Sequence, residues 1–202
     1  MIINENIQQL TENVKNGKII CFKTDTIWGL SVNPNSKESI QNLYNIKQRE
    51  LDKPFIFLIS KNQDLKKFVK DVSSLEQKLI DNFWPGPLTI IFKAKENLPI
   101  LQHYKNQTTI ALRMPNDSLT QQILKKLDFP LPSTSVNLQN EQPLNTFNDI
   151  YNKFKDSNIN ILNNYTNLSD NISSTIVCVE DDNIKILREG QITKEKILSI
   201  LT

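Results

Sequence analysis

Apolar residues along the chain follow two rhythms, and their alternation predicts interleaved strands and helices. Ile19, Ile20, Cys21 and Phe22 form a short, largely β-branched run that stops at Lys23-Thr24-Asp25-Thr26, predicting a buried strand that ends in a polar loop. Ahead of it, Ile3, Ile7, Leu10 and Val14 share one helical face, and Gly17 ends that helix. Ser36 is placed to cap a helix carrying Ile40, Leu43 and Tyr44, and Phe55 to Ile59 reads as the next buried strand. Strand, loop, helix, strand predicts a crossover unit, and open α/β sheets commonly bind ligands in the loops at strand ends.

The same rhythms continue to the end of the chain. Leu65, Phe68 and Val69 predict a short helix, and Leu75, Leu79, Ile80 and Phe83 a second one. Trp84-Pro85-Gly86-Pro87 halts that helix in a stiff turn, because proline cannot continue it. Leu88 to Phe92 and Thr109 to Met114 are strand-like, whereas Lys93 to Asn106 has no period and reads as a surface loop. Asp117 caps a helix bearing Leu119, Ile123, Leu124 and Leu127, and Pro130 to Asn137 is extended and rich in hydroxyls. Phe147, Ile150, Tyr151 and Phe154 make another helical face, and the asparagine-rich stretch from Asn158 to Asp170 carries little strand signal. Ser174 to Val179 and Ile184 to Arg188 predict a hairpin, and Thr193 caps a last helix through Ile197, Leu198 and Leu201. The expectation is an α/β fold, a twisted mixed β-sheet flanked by helices, in one domain over 1–202.

Composition narrows the chemistry. The 202 residues are 38% hydrophobic and 23% charged, as in ordinary soluble proteins, and no long uncharged apolar segment or basic-then-apolar leader is present. A cytoplasmic protein is therefore expected. The net charge of +2 gives no support to non-specific nucleic-acid binding, although it leaves room for a local basic groove. Cys21 and Cys178 lie in apolar runs and read as buried reduced thiols, and His103 is the only histidine, which removes a histidine-rich metal site. Of 24 basic residues only Arg49, Arg113 and Arg188 are arginine, a scarcity that suggests planar, two-pronged grips on phosphate or carboxylate.

Four polar clusters fall at predicted strand ends: Thr24 to Thr26, Lys47 to Lys53, Arg113, and Ser133 to Asn137. Each alone has a plainer reading, as a turn, a solvated helix end, a structural ion pair or a polar loop. Together they offer hydroxyls and cations without a nucleophile motif, a metal-ligand cluster or a phosphate-binding G-x-x-x-x-G-K loop. Such a set positions and neutralises a small anion, and phosphoryl or nucleotidyl transfer can proceed on positioning and charge stabilisation.

Seven motifs in series go further. Lys23-Thr24-Asp25-Thr26-Ile27-Trp28-Gly29-Leu30 resembles the P-T-D-T-x-Y-G-L signature of the YrdC-like threonylcarbamoyl-AMP synthases, and Lys47-Gln48-Arg49 with Asp52-Lys53-Pro54 resembles their K-x-R and K-P-L segments. Trp84-Pro85-Gly86-Pro87-Leu88-Thr89 is similar without a change, and Ala111 to Pro115 resembles V-R-x-P. Ser135-Val136-Asn137 resembles S-A-N, Ser174 to Val177 resembles S-T-V-V, and Ile186 to Gly190 resembles I-L-R-x-G. The sequence departs from the pattern at Lys23, Trp28, Leu58, Val136 and Cys178, and Leu138 to Pro143 lacks the family's S-G.

The resemblance implies a YrdC-like fold with an open anion-binding cleft and an activity that condenses L-threonine, bicarbonate and ATP to threonylcarbamoyl-AMP and pyrophosphate. The product would serve a partner, the tRNA threonylcarbamoyl transferase, which modifies the adenosine beside the anticodon; direct tRNA contact would be weak. Thr26, Arg113, Ser135 and Ser174 would hold threonine, and Arg49, Lys53, Thr109, Asn137, Thr146 and Arg188 would line the nucleotide. Lys47 and Arg49 would act on the phosphates, and Mg²⁺ would arrive with ATP, no metal site of the protein's own being expected. An alternative is a non-catalytic module of the same fold that holds tRNA or double-stranded RNA, with strongly salt-dependent binding and no need of threonine. Carbamoyl-adenylate chemistry of the hydrogenase maturation proteins is a further alternative, but their zinc-finger-like and acylphosphatase-like parts have no counterpart in this sequence.

Overall fold

The computed structural model describes residues 1–4, 6–50, 54–60, 65–104, 107–162 and 172–200. Its elements are β1 (Ile2–Asn4), α1 (Ile7–Lys15), β2 (Ile19–Lys23), β3 (Trp28–Ser31), α2 (Lys37–Lys47), β4 (Ile56–Leu58), α3 (Leu65–Phe68) and α4 (Ser74–Phe83). There follow β5 (Leu88–Lys93), β6 (Thr109–Arg113), α5 (Ser118–Lys125), β7 (Leu131–Ser135), α6 (Phe147–Phe154), β8 (Ile159–Leu162), β9 (Thr175–Glu180), β10 (Asn183–Arg188) and α7 (Lys194–Leu198). The strands form one mixed sheet in the order β1-β8-β2-β3-β7-β4-β6-β5-β9-β10. No described helix is long and apolar enough to cross a membrane.

Local chemistry explains the helix starts. Asn6, Ser36, Ser73, Asp117, Thr146 and Thr193 each accept a backbone N–H of the first turn through the side chain, satisfying one donor that a helix start leaves open. At Ser73 the Glu76 carboxylate also reaches back to the Ser73 N–H at 2.7 Å, a complete capping box.

Sheet register, by contrast, overrides several local expectations. Ile3 belongs to β1, paired parallel with β8, so the first helix begins only at Ile7. The polar loop after β2 is a hairpin turn into β3, and Trp28 pairs with Lys23. The crossover unit therefore starts one strand later than predicted: β4 runs opposite to β2 but parallel to β3, α2 joins β3 to β4, and β7 lies between those two strands. Pro130 to Asn137 contributes the central strand β7, and the asparagine-rich segment contributes β8, buried between β1 and β2. The region expected as a surface loop after β5 sends Ile100, Leu101 and Tyr104 into the core through a short 3-10 turn over Pro99–Leu101. Both cysteines are free and buried, and burial pushes the Cys21 thiol well above its ordinary range.

Because alternate residues of a strand face opposite sides, the sheet divides the core in two. On one face Cys21, Leu30, Phe57, Ile90, Leu112 and Val177 pack with Ile40 and Leu43 of α2, Leu79 and Ile80 of α4, Ile150 of α6 and Ile197 of α7. On the other face Ile20, Phe22, Leu58, Leu131 and Leu162 pack with Leu10 and Val14 of α1 and Ile123 and Leu124 of α5. This second cover stops partway across the sheet. Register places Gly29, Ser133, Ser135, Ile56, Leu58 and Arg113 on that same face, and these residues line an open cleft.

Leu112 is fully buried in β6, the strand that carries Arg113 to the cleft. Leu112→Ala is expected to lower unfolding free energy by about 2–5 kcal/mol, read in urea as a lower midpoint at an unchanged slope.

Candidate active site

The cleft is open to solvent, with a cavity volume of about 200 Å³. All three arginines line it, together with the hydroxyl-bearing residues Thr24, Thr26, Ser133, Ser135, Ser173 and Ser174. Ile27, Trp28, Pro54, Phe55, Ile56, Leu58 and Ile176 supply apolar walls.

Arg113 is the most constrained of the cations. It is 5% exposed; its Nε donates to the Gly86 carbonyl at 3.1 Å, Nη1 donates to Thr26 Oγ1 at 2.7 Å, and Nη2 donates to Asp25 Oδ1 in an ion pair. Burial pulls its pKa down, and the Asp25 carboxylate opposes that fall. A guanidinium has five N–H donors, and these bonds use three among the described residues, leaving one on each terminal nitrogen. Two such donors suit a carboxylate or phosphate edge.

The supporting turns follow from the sequence. The Thr24 and Thr26 hydroxyls lie 3.0 Å apart, and Thr24 Oγ1 also donates to the Ile27 carbonyl at 2.9 Å, which shapes the hairpin around the guanidinium. Asp25 Oδ2 accepts the Asn116 N–H at 3.0 Å, tying the same hairpin to the end of β6. The Trp84-Pro85-Gly86-Pro87 turn aims the Gly86 carbonyl at Arg113. A Cβ on Gly86 would stand 2.5 Å from the Phe83 carbonyl oxygen, so only glycine fits that turn. Trp84 itself is a packing residue: its indole donates to the Leu88 carbonyl at 2.7 Å and its ring meets Phe92 edge-on.

Arg188 closes the opposite wall from the end of β10. Its side chain is exposed over much of its length, but Nε and Nη2 are seated on the Ser174 carbonyl at 3.2 and 2.8 Å. Burial of the guanidinium lowers its pKa first, and the charge of Arg113 lowers it further. Two cations that destabilise one another across a cleft favour an anion between them. Ser174 is buried and its Oγ lies 2.8 Å from Thr89 Oγ1. Arg49 stands at the mouth, donating from Nη2 to the Pro54 carbonyl at 3.1 Å and lying 5.3 Å over the Phe55 ring.

The structure thus gathers Thr26, Arg49, Arg113, Ser135, Ser174 and Arg188 in one place. It does not gather the rest of the predicted set. Lys47 is 2% exposed, and its three ammonium donors go to Ser135 O at 2.5 Å, Asn137 O at 2.9 Å and Asn137 Oδ1 at 2.9 Å. Burial first, and Arg49 second, push its pKa down to about 7; the three surrounding acceptors favour the ammonium form. Lys47 therefore braces the end of β7 and has no donor left for a ligand. Asn137 is spent in the same brace, its Oδ1 also accepting from Ser135 Oγ at 2.5 Å and its Nδ2 donating to Glu141 O at 2.7 Å. Thr109 begins β6, about 13 Å from Arg113 at the strand's other end by the rise of an extended chain. Thr146 is the exposed N-cap of α6, accepting from Asp149 N at 3.1 Å. Lys53 lies outside the described residues.

Asp25 is the site residue that sequence reasoning left without a role, although it stands next to Thr26, which was given one. The signal was available: an arginine at the end of a strand needs a counter-charge once buried, and Asp25 is one of the few carboxylates inside the motifs. Ser133 and Ser173, also in the cleft, carried no individual signal. Among the described residues no three His, Cys, Asp or Glu side chains cluster to hold a metal ion.

Residues 12–190 match the family model of the Sua5, YciO and YrdC proteins, whose description reads "Telomere recombination". A Methanocaldococcus jannaschii relative is 32% identical over 194 residues, covering 95% of this chain and 88% of its own. A Photobacterium profundum protein named threonylcarbamoyl-AMP synthase is 28% identical over 151 residues, covering 74% of this chain and 81% of its own. Among solved structures, that of P. abyssi Sua5 complexed with L-threonine superposes with a TM-score of 0.88 at 22% identity, covering 99% of this chain. This chain spans 60% of the P. abyssi protein. E. coli YciO superposes at 0.80 with 24% identity over 94% of each chain, so the fold is shared.

Thr146→Ala is expected to cost about 1 kcal/mol of stability, as the loss of a helix cap does, while leaving ligand affinity at the cleft unchanged. Urea unfolding and equilibrium nucleotide binding measured on one preparation check both halves.

Proposed function

The chain belongs to the Sua5/YciO/YrdC family, and from that premise we propose that it is a threonylcarbamoyl-AMP synthase, a nucleotidyltransferase. The observation that carries the reading is the convergence of the chain's only three arginines on one hydroxyl-lined cleft.

The geometry of the cleft supports the following roles. The two remaining N–H donors of Arg113 take the threonine carboxylate, with Thr26, Ser135 and Ser174 offering hydroxyls around it. Threonine's amine combines with bicarbonate to give a carbamate and water. A carbamate oxygen then attacks the α-phosphorus of ATP, forming the new P–O bond as the bond to pyrophosphate breaks. Arg49 and Arg188 face the phosphates and offset the charge that builds there, so no protein nucleophile is needed. Lys53 belongs to the same group by its motif. Mg²⁺ enters with ATP as part of the substrate, since a cleft lined by three guanidiniums admits a cation most readily when phosphate accompanies it. The mixed anhydride product is reactive, which fits its transfer to a tRNA adenosine by a separate threonylcarbamoyl transferase. The Lys47 brace enters this reading through Ser135, whose carbonyl and hydroxyl it fixes.

Purified protein with Mg²⁺-ATP is expected to release pyrophosphate only when threonine and bicarbonate are both present. No release from folded protein, together with tight salt-sensitive RNA binding, would overturn the proposal in favour of a binding module. Arg49→Ala should raise KM for ATP about 10–100-fold, the equivalent of the roughly 1.5–3 kcal/mol of a charged hydrogen bond, and change the threonine KM far less. Equal losses for both substrates would show that the cleft is divided differently.

A further inference from the structure

The loop after Asn137 departs from the family pattern, and its bonds run to the segment that bears Arg49. Gln139 donates its backbone N–H to the Lys47 carbonyl at 2.9 Å, and its side-chain Oε1 accepts the Glu50 N–H at 3.0 Å. One residue therefore grips the chain two positions before Arg49 and one position after it. Gln139 is half-buried and does not line the cleft.

The grip has a firm base. Lys47 Nζ ties Ser135 and Asn137 to the end of α2, and Asn137 Nδ2 bonds Glu141 O across the loop. Glu141 N–H closes the turn onto the Leu138 carbonyl at 3.1 Å. On the other side, Gln48 ends α2 in the left-handed region at φ 50, with its N–H on Asn45 O and the Arg49 N–H on Tyr44 O. Up to Arg49 the backbone is held by its own helix end, while Glu50 is held through the Gln139 amide. The Arg49 guanidinium then rests on Pro54 O and the Phe55 ring, at the mouth of the cleft.

We propose that Gln139 is a positioning residue for Arg49: its side-chain amide fixes the turn after α2 so that Arg49 meets the nucleotide phosphates pre-aimed. This rests on the nucleotide-binding reading of the cleft and adds a residue outside the motifs. Gln139 touches no substrate. Removing its acceptor leaves the Glu50 N–H to water and lets the Arg49 backbone sample other directions, so part of the binding energy goes into ordering it.

The test is equilibrium binding of α,β-methylene-ATP, which cannot be cleaved at the α-phosphorus, alongside steady-state pyrophosphate release. Gln139→Leu is expected to weaken analogue binding and raise KM for ATP about 3–10-fold, with the threonine KM and kcat nearly unchanged. Gln139→Glu keeps an acceptor for Glu50 N–H and should restore most of the loss. Glu141→Ala, which removes only an exposed ion pair with Lys153, should change nothing. The deciding comparison is the double variant: in an Arg49→Ala background, Gln139→Leu should have no further effect. A further loss there, or wild-type analogue binding by the single variant, overturns the proposal. Should Gln139→Leu fail to fold, Gln139→Ala replaces it and is read against the same outcomes. Wild-type protein that binds the analogue without releasing pyrophosphate refutes the synthase reading but leaves the binding comparison decisive for Gln139. Wild-type protein that does not bind the analogue refutes both.

Discussion

The buried guanidinium of Arg113 is the constraint from which most of the site follows. A charge removed from water this completely costs several kcal/mol unless its donors are met, and two different parts of the chain meet them. Thr26 and Asp25 come from the hairpin between β2 and β3, and Gly86 from the turn ahead of β5. Satisfying one side chain thereby fixes the positions of these two connections relative to β6. It also explains why the Trp84-Pro85-Gly86-Pro87 turn sits beside the hydroxyl loop although sixty residues of sequence separate them. The two donors left over make a structural arginine into a ligand-directed one.

That arginine borders the cleft because the sheet is covered unevenly. One face is packed along its length by α2, α4, α6 and α7, which supplies a continuous apolar core. The other is covered only where α1 and α5 lie, and beyond them β3, β7, β4 and β6 present glycine, serine and arginine where the covered region has leucine and phenylalanine. Charge then does the rest. The charge of Arg113 lowers the pKa of Arg188, and an anion placed between the two guanidiniums relieves their repulsion.

Much of the fold was legible because helices and their caps are local. Ser36, Asp117, Thr146 and Thr193 begin helices where their side chains can accept a first-turn N–H, and each helix shows its apolar face within a dozen residues. The misreadings share one cause. Ile3 lies in a short strand whose pairing partner, Ile161, is distant in sequence, and the short strand beginning at Trp28 is reached through a hairpin that the polar loop disguised. Thr109, Asn137 and Thr146 were carried over from the family resemblance, Thr109 and Thr146 from outside its motifs; a strand's far end, a brace and a helix cap are places that only three dimensions distinguish from a cleft wall.

By itself the sequence determined which chemistry was on offer: three arginines, a set of hydroxyls near strand ends and no nucleophile or metal motif. It also determined the family, because motif order survives where overall identity is low. The tertiary structure decided which of those groups face a ligand. Lys47 and Arg49 are two residues apart and equally cationic, but one points into the gap between α2 and β7 and the other into the open cleft. No local rule separates them, since a helix end can present either side chain to solvent. The difference arises from the carbonyls of Ser135 and Asn137, which the fold of a distant segment delivers to the ammonium of Lys47 and which need its charge more than water does.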